Sequence, residues 1–302
     1  MSLKRANLCG VLVAGLYAAI PGLSFAQNYD NPGLGEKPVV SHPQDHKPLG
    51  IRMGSFMVHP GVQLAAEYTD NAFYTQEEKS DDTIFHIRPY ISAQSTWSRH
   101  SFNVRLAADF AFHQDYDFRN YEDYFLTING RVDVKNRSYF SYGAQYMNLH
   151  EGLDSRDSEQ GLEPTRYDLY GANLGYDHTF NRLSLGGMFT WNRLDFDNAY
   201  DFDGDVIDNQ DRDRENTSWT VRAGYQFSSG MQAFASYSGN STTFDEPYDR
   251  NGYLRSGDGY NVNAGINFTL TGKLNGDLYA SYYDRSYDDP LLPSTGGWGG
   301  GG

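Results

Sequence analysis

The chain has 302 residues, a formal net charge of −15 at pH 7 and a mean hydropathy of −0.65. The negative charge argues against a nucleic-acid partner, which would need a basic face. Aromatic residues make up 15% of the chain, which argues against disorder, and Cys9, the single cysteine, lies in the amino-terminal apolar run.

Residues 1–26 have the pattern of a secretory signal peptide. Lys4 and Arg5 form a positive start, an apolar run follows over residues 8–20, and Ala26 precedes a predicted cut before Gln27. The apolar run is too short for a comfortable membrane-spanning helix. We therefore expect the chain to be exported. Residues 27–50, rich in Pro, Gly and His, are interpreted as an irregular periplasmic leader.

The rest of the chain alternates apolar and polar residues, most clearly between Gly257 and Leu270. Every second residue there is apolar: Tyr260, Val262, Ala264, Ile266, Phe268 and Leu270. A period of two predicts a strand with one apolar face, and about ten residues suffice to cross a bilayer when tilted. About eleven such strands are predicted within residues 51–290. Their connections alternate short and long, which indicates an all-β, antiparallel up-and-down transmembrane β-barrel.

The carboxyl end departs from this pattern. Residues 291–302 are interpreted as a Gly-rich tail, because GWGGGG shows no alternation. Bacterial barrels usually have an even strand number, so the odd count leads us to expect a carboxyl-terminally truncated, incomplete barrel.

The stretch HPGVQLAAEYTDNAFYTQEEKSDDTIFHIRPYISAQSTWSRHSF carries a family resemblance, with landmarks at residues 68–71, 81–82, 88–89 and 97–100. It resembles the β-barrel porin family, β-barrel porin 2 type, that is found with exopolysaccharide export systems in Gram-negative bacteria. The similarity extends to about residue 290. The resemblance implies location in the cell outer membrane among its lipids, with polysaccharide and export machinery as partners. Family members are typically longer, which agrees with the expected truncation.

Charged residues on the inward parity of the strands are the candidate site. They are His86, Arg88, Arg105, Asp109, Arg131, Asp133, Asp177, Arg222 and Asp277. One interpretation is a selectivity lining for a polar, anionic solute or polymer. The other, which we favour at this stage, is cross-strand bracing of the interior.

A metal site is a weaker candidate. Asp201, Asp203, Asp205 and Asp208 resemble a calcium loop, but the glycine and the bidentate Glu of that pattern are out of register. A solvated acidic loop is the preferred interpretation, so we predict no cofactor. No Ser, His and acid arrangement predicts an enzyme.

The leading hypothesis is a non-enzymatic outer-membrane barrel that serves as a pore or accessory in exopolysaccharide export. The alternative is a closed structural barrel, or a surface-interaction protein whose loops are the working part. A soluble secreted β-sandwich or a barrel enzyme is a minor third hypothesis.

Overall fold

The structure, a computed structural model, describes residues 49–73, 75, 79–152, 163–201, 203–271 and 274–301. The predicted signal peptide and residues 27–48 of the predicted leader lie outside the described residues. None of the helices found in these ranges has the length and apolar character needed to span a membrane.

Within these ranges, thirteen strands form one antiparallel sheet that follows chain order. The strands are β1 (Ile51–Met53), β2 (Phe56–Thr69), β3 (Asp82–Ser95), β4 (Ser101–His113), β5 (Tyr121–Lys135), β6 (Ser138–His150), β7 (Arg166–Phe180), β8 (Leu183–Phe196), β11 (Arg214–Ser228), β12 (Met231–Phe244), β13 (Gly257–Thr271), β14 (Leu274–Tyr287) and β15 (Thr295–Gly301). Between β8 and β11, β9 (Ala199–Tyr200) pairs with β10 (Val206–Ile207). Two short 3₁₀ helices, Asp117–Arg119 and Gln210–Arg212, lie in connections.

The two faces of the sheet differ as the alternation predicts. Val262 pairs with Tyr237 on one side and Tyr282 on the other, so all three share a face. This face, the outer face, carries large apolar side chains that stay exposed; Leu64 is 71% exposed. The opposite, inner face holds buried polar groups such as Asp109. The all-β antiparallel barrel fold with an apolar exterior is confirmed.

The connections alternate in length. Short turns join β5 to β6 and β7 to β8, and in them Arg137 and Asn181 adopt positive φ, as tight hairpins require. Longer connections cover residues 151–165, 197–213 and 245–256 at the opposite end of the strands. We call these two ends the turn end and the loop end.

The prediction that the carboxyl end has no strand was wrong. Thr295–Gly301 forms β15 and pairs antiparallel with β14, from Arg285–Thr295 to Tyr279–Gly301. Glycine has no side chain, so a glycine-rich strand shows no alternation of apolar and polar residues. Its pairing depends on backbone groups, which the sequence pattern does not reveal. The strand count of about eleven was therefore too low. The boundary drawn at residue 290 also excluded a segment that belongs to the sheet.

Two prolines lie inside strands, where each removes a ladder donor. The β3–β4 pairing lapses at Pro89: it runs to Ile87–Phe110 and resumes at Tyr90–Ala107. Pro60 lies beyond the three residues of β2 that pair with β1, so within the described residues β3 is its only neighbouring strand. The gap in the β3–β4 ladder thus coincides with Pro89, and Pro60 lies where β2 has no β1 partner.

Candidate pore lining

The inner face divides into a charged part and an uncharged part. Charged side chains concentrate on β3, β4 and β5, whereas β12 and β13 present amides, hydroxyls, glycines and two phenylalanines. The uncharged inner side chains of these two strands include Gln232, Ser236, Ser238, Asn240, Asn261, Asn263 and Asn267. Asn263 Nδ2 donates to Ser236 Oγ at 3.3 Å. The interior thus offers a neutral hydrogen-bonding wall on strands other than those that carry the inner ion pairs of β3, β4 and β5.

Three predicted residues meet in one buried cluster on β3 and β4. Arg88 Nε donates to Asp109 Oδ2 at 2.8 Å, and His86 Nδ1 lies 3.0 Å from Asp109 Oδ1. His86 and Asp109 are 4% and 6% exposed. The second ring nitrogen of His86, Nε2, is buried without a hydrogen-bond partner within the described ranges. Buried contacts between side chains of two strands fit the interpretation that these three residues brace the interior.

Two further histidine–aspartate pairs extend the cluster towards the loop end. His113 Nδ1 lies 2.6 Å from Asp82 Oδ2, and His150 Nδ1 lies 2.9 Å from Asp123 Oδ1. Tyr121 stacks on the His150 ring at 3.6 Å between centroids. Sequence reasoning did not include these residues as candidates. Inward parity on neighbouring strands was the available signal for Asp82, His113 and Asp123, whereas His150 has the outward parity of β6. Their pairing also depends on a register that the sequence does not give.

At the turn end, two more predicted residues form an ion pair. Arg131 Nε donates to Asp133 Oδ1 at 2.7 Å, and the Arg131 guanidinium carbon lies 3.7 Å from the Tyr139 ring centroid. Asp177 pairs in register with Tyr139 on the same face. Asp277 pairs in register with Asn267 of β13 and lies close enough to Arg222 for their opposite charges to attract.

Arg105 and Arg222 lie over aromatic rings instead of beside carboxylates. The guanidinium carbon of Arg105 is 5.0 Å from the Tyr90 centroid, and that of Arg222 is 4.6 Å from the Phe234 centroid. A Cβ on Gly61 would come within 2.3 Å of the Tyr90 ring, so glycine is what lets this ring lie against the wall. Neither arginine forms an ion pair within the described part of the chain.

A second charged cluster, which the sequence did not predict, joins the long connections. Arg212 binds Glu151 through both carboxylate oxygens and stacks on Phe196 at 4.1 Å. Arg255 stacks on Phe244 at 4.3 Å and lies 3.4 Å from Asp211. Side chains of three loops and the ends of two strands are thereby held together at the loop end.

The acidic loop does not converge on a cation site. Asp201 Oδ1 accepts the backbone N–H groups of Asp203 at 2.9 Å and Asp205 at 2.8 Å, so this carboxylate closes a turn. In the described residues, the one group with metal-ligand spacing is Asp195, Asp213 and Asp245.

These three carboxylates are already partnered. Arg193 Nη2 lies 2.7 Å from Asp195 and 2.7 Å from Asp245, and Asp213 Oδ1 accepts the Phe196 N–H at 2.6 Å. Burial raises the pKa of Asp213, the Phe196 hydrogen bond opposes this rise, and the neighbouring carboxylates of Asp195 and Asp245 add to it.

Residues 43–302 match the model of the family described as "Putative beta-barrel porin 2". The chain belongs to this porin family. It is an outer-membrane β-barrel protein, and its exposed apolar face lies among membrane lipids. No curated protein is significantly similar to the chain.

Three solved structures are among those to which the chain is similar. A FadL homologue of Pseudomonas aeruginosa has 11% identity over 79% of this chain and 68% of its own, with a TM-score of 0.41. An outer-membrane channel of Pseudomonas putida F1 has 10% identity over 85% of this porin-family chain and 96% of its own, with a TM-score of 0.37. OmpT of Vibrio cholerae has 10% identity, coverage of 78% and 89%, and a TM-score of 0.35.

Proposed function

We propose that this porin-family chain forms a passive pore that serves exopolysaccharide export across the outer membrane. The observation that carries the proposal is the inner wall of β12 and β13, where amides and hydroxyls such as Asn263 and Ser236 replace charges. Neutral donors and acceptors bind hydroxyl groups weakly, so a polysaccharide can exchange contacts along such a wall. Such a pore would work without a catalytic step, a cofactor or nucleic acid. The partners would be polysaccharide and export machinery.

Conductance in planar bilayers tests the pore. We expect the folded chain to give stepwise currents, and we expect an oligosaccharide to interrupt them. Heat-modifiable migration in gels provides the control for folding. A chain that folds but gives no current contradicts the pore.

The tied loops favour a second candidate, a barrel closed at the loop end whose loops form a surface for interaction. Arg212 with Glu151 and Arg255 with Asp211 join connections from different hairpins. If the wild type gives no current and the Arg212→Gln variant does, this candidate is supported, because the substitution frees the longest loop from Glu151. If Arg212→Gln also stays silent, the loops are not what closes the barrel.

A further inference from the structure

An arginine on the inner face of β14 lies between two tyrosines. Tyr283, Arg285 and Tyr287 are two residues apart along the strand, so their side chains share one face. The Arg285 guanidinium carbon lies 5.0 Å from the Tyr287 ring centroid, which orients the cation over the ring. Tyr283 is 48% exposed, and Arg285 is also exposed. The three side chains therefore present an accessible cation flanked by aromatic rings.

The residues paired with Arg285 and with its two flanking tyrosines carry no charge. Arg285 pairs in register with Gly259 of β13 and Thr295 of β15. Tyr287 pairs with Gly257, and Tyr283 pairs with Gly297. Across the described ranges Arg285 makes no ion pair, whereas other arginines at this end do. Its guanidinium donors remain available to a ligand.

The glycines also shape the surface around the arginine. A Cβ on Gly297 would lie 3.4 Å from the Tyr283 ring, and a Cβ on Gly257 would lie 3.1 Å from the Tyr287 Cα. The absence of side chains at these two positions leaves space beside the two tyrosines that flank the arginine.

Two other arginines at the loop end show the same arrangement with a carboxylate of the protein already bound. Arg212 stacks on Phe196 and binds Glu151, and Arg255 stacks on Phe244 beside Asp211. In both cases an arginine over a ring is completed by a carboxylate of the protein. Arg285 has the ring but lacks the carboxylate, so an external carboxylate would complete the same arrangement.

We propose that Tyr283, Arg285 and Tyr287 form a binding site for an acidic saccharide, with the arginine on the carboxylate and the tyrosines on the sugar ring. A guanidinium binds a carboxylate through two parallel hydrogen bonds. Aromatic faces pack against the apolar C–H faces of a ring. The inference rests on the proposed function. It narrows the expected ligand at this position from any polysaccharide to an acidic one.

Binding of a glucuronic acid tetrasaccharide to the full chain in detergent, measured by calorimetry, tests the site. We expect Arg285→Gln to weaken binding at least tenfold and to leave binding of a neutral glucose tetrasaccharide unchanged. Arg99→Gln, an exposed arginine in the short turn between β3 and β4, removes the same charge at the opposite end and should change neither. Equal binding of the acidic oligomer by wild type and Arg285→Gln would overturn the proposal.

A second variant tests the same site without removing the arginine. Thr295→Asp places a carboxylate beside Arg285 across the β14–β15 pair and should compete with the ligand, whereas Thr295→Asn should not. Undiminished binding by Thr295→Asp would count against the site. Conductance measurements distinguish a failure of the proposed pore from a failure of the proposed saccharide site. Acidic-oligomer binding that depends on Arg285 in a silent barrel refutes the pore and upholds the site. Currents without such binding refute the site alone.

Discussion

Arg88 and Asp109 form their ion pair, at 2.8 Å, at the place where the backbone pairing of β3 and β4 lapses. Backbone pairs are missing there because Pro89 has no N–H to donate. The side-chain pair therefore joins two strands that the backbone leaves open. His86 Nδ1 also lies 3.0 Å from Asp109, so one carboxylate contacts two side chains of β3.

Asp109→Ala should therefore destabilise the barrel strongly. The side chains of Asp109 and Arg88 are 8% and 17% exposed, so the substitution leaves a largely buried cation without its partner. Loss of one member of such a pair costs about 3–5 kcal/mol. Unfolding by urea in lipid vesicles, followed by tryptophan emission, would measure the loss.

The matched control is Asp133→Ala at the turn end. Its partner Arg131 has a side chain that is 49% exposed, so water screens the pair. A change of about 0–1 kcal/mol is expected for an exposed pair. Equal losses for the two variants would show that the buried pair has no special role.

Asp213 supplies a pH-dependent prediction. Because its pKa in the folded chain is raised by burial, its ionised form is less favourable in the folded state than in the unfolded state. This group therefore lowers stability at neutral pH, and the penalty disappears as the pH falls below the unfolded pKa, about 3.9. Asp213→Asn should raise the melting temperature at pH 7 and have little effect at pH 3.

Thermal melts of both proteins across this range measure the difference. Asn can still accept the Phe196 N–H at the same place, so the hydrogen bond is retained. A variant that melts below wild type at pH 7 would contradict the assigned cost of the carboxylate.

The fold could be predicted from the sequence because alternation needs no knowledge of neighbours. Arg105, Asp109 and Arg131 were assigned to the inner face by parity alone, and the structure places them there. The contacts between side chains of different strands could not be predicted in this way. His86, Arg88 and Asp109 meet because the β3–β4 turn sets a register that no single strand encodes.

Two features gave no usable signal. β15 contains Trp298 among glycines, so it has a single large side chain on the outer face and no alternation of apolar and polar residues. The Arg212–Glu151 contact joins residues 61 positions apart through loops whose course the sequence does not determine. The arginine at 285 was likewise overlooked. Its importance comes from the glycines of two neighbouring strands rather than from its own segment.

The Arg212–Glu151 contact should protect the longest loop from proteases. Both side chains are 11% exposed, so breaking the pair releases residues 197–213 from the loop end. Arg212→Gln should increase cleavage of this loop by external proteinase K on intact cells. Arg131→Gln, which removes an exposed ion pair at the turn end, is the control and should leave the cleavage rate near that of wild type. Comparable cleavage in both variants would argue against a tethered loop.

The assignment of faces can be tested with one tryptophan at a time. Trp219 is on the outer face and 40% exposed, whereas Phe234 lies on the inner face against Arg222. In a variant that keeps only Trp219, brominated lipids should quench the emission and aqueous iodide should have little effect. Phe234→Trp, in a chain without the other tryptophans, should show the opposite pattern because its ring faces the hydrated interior. Lipid quenching of the tryptophan at position 234 would mean that the two faces are reversed.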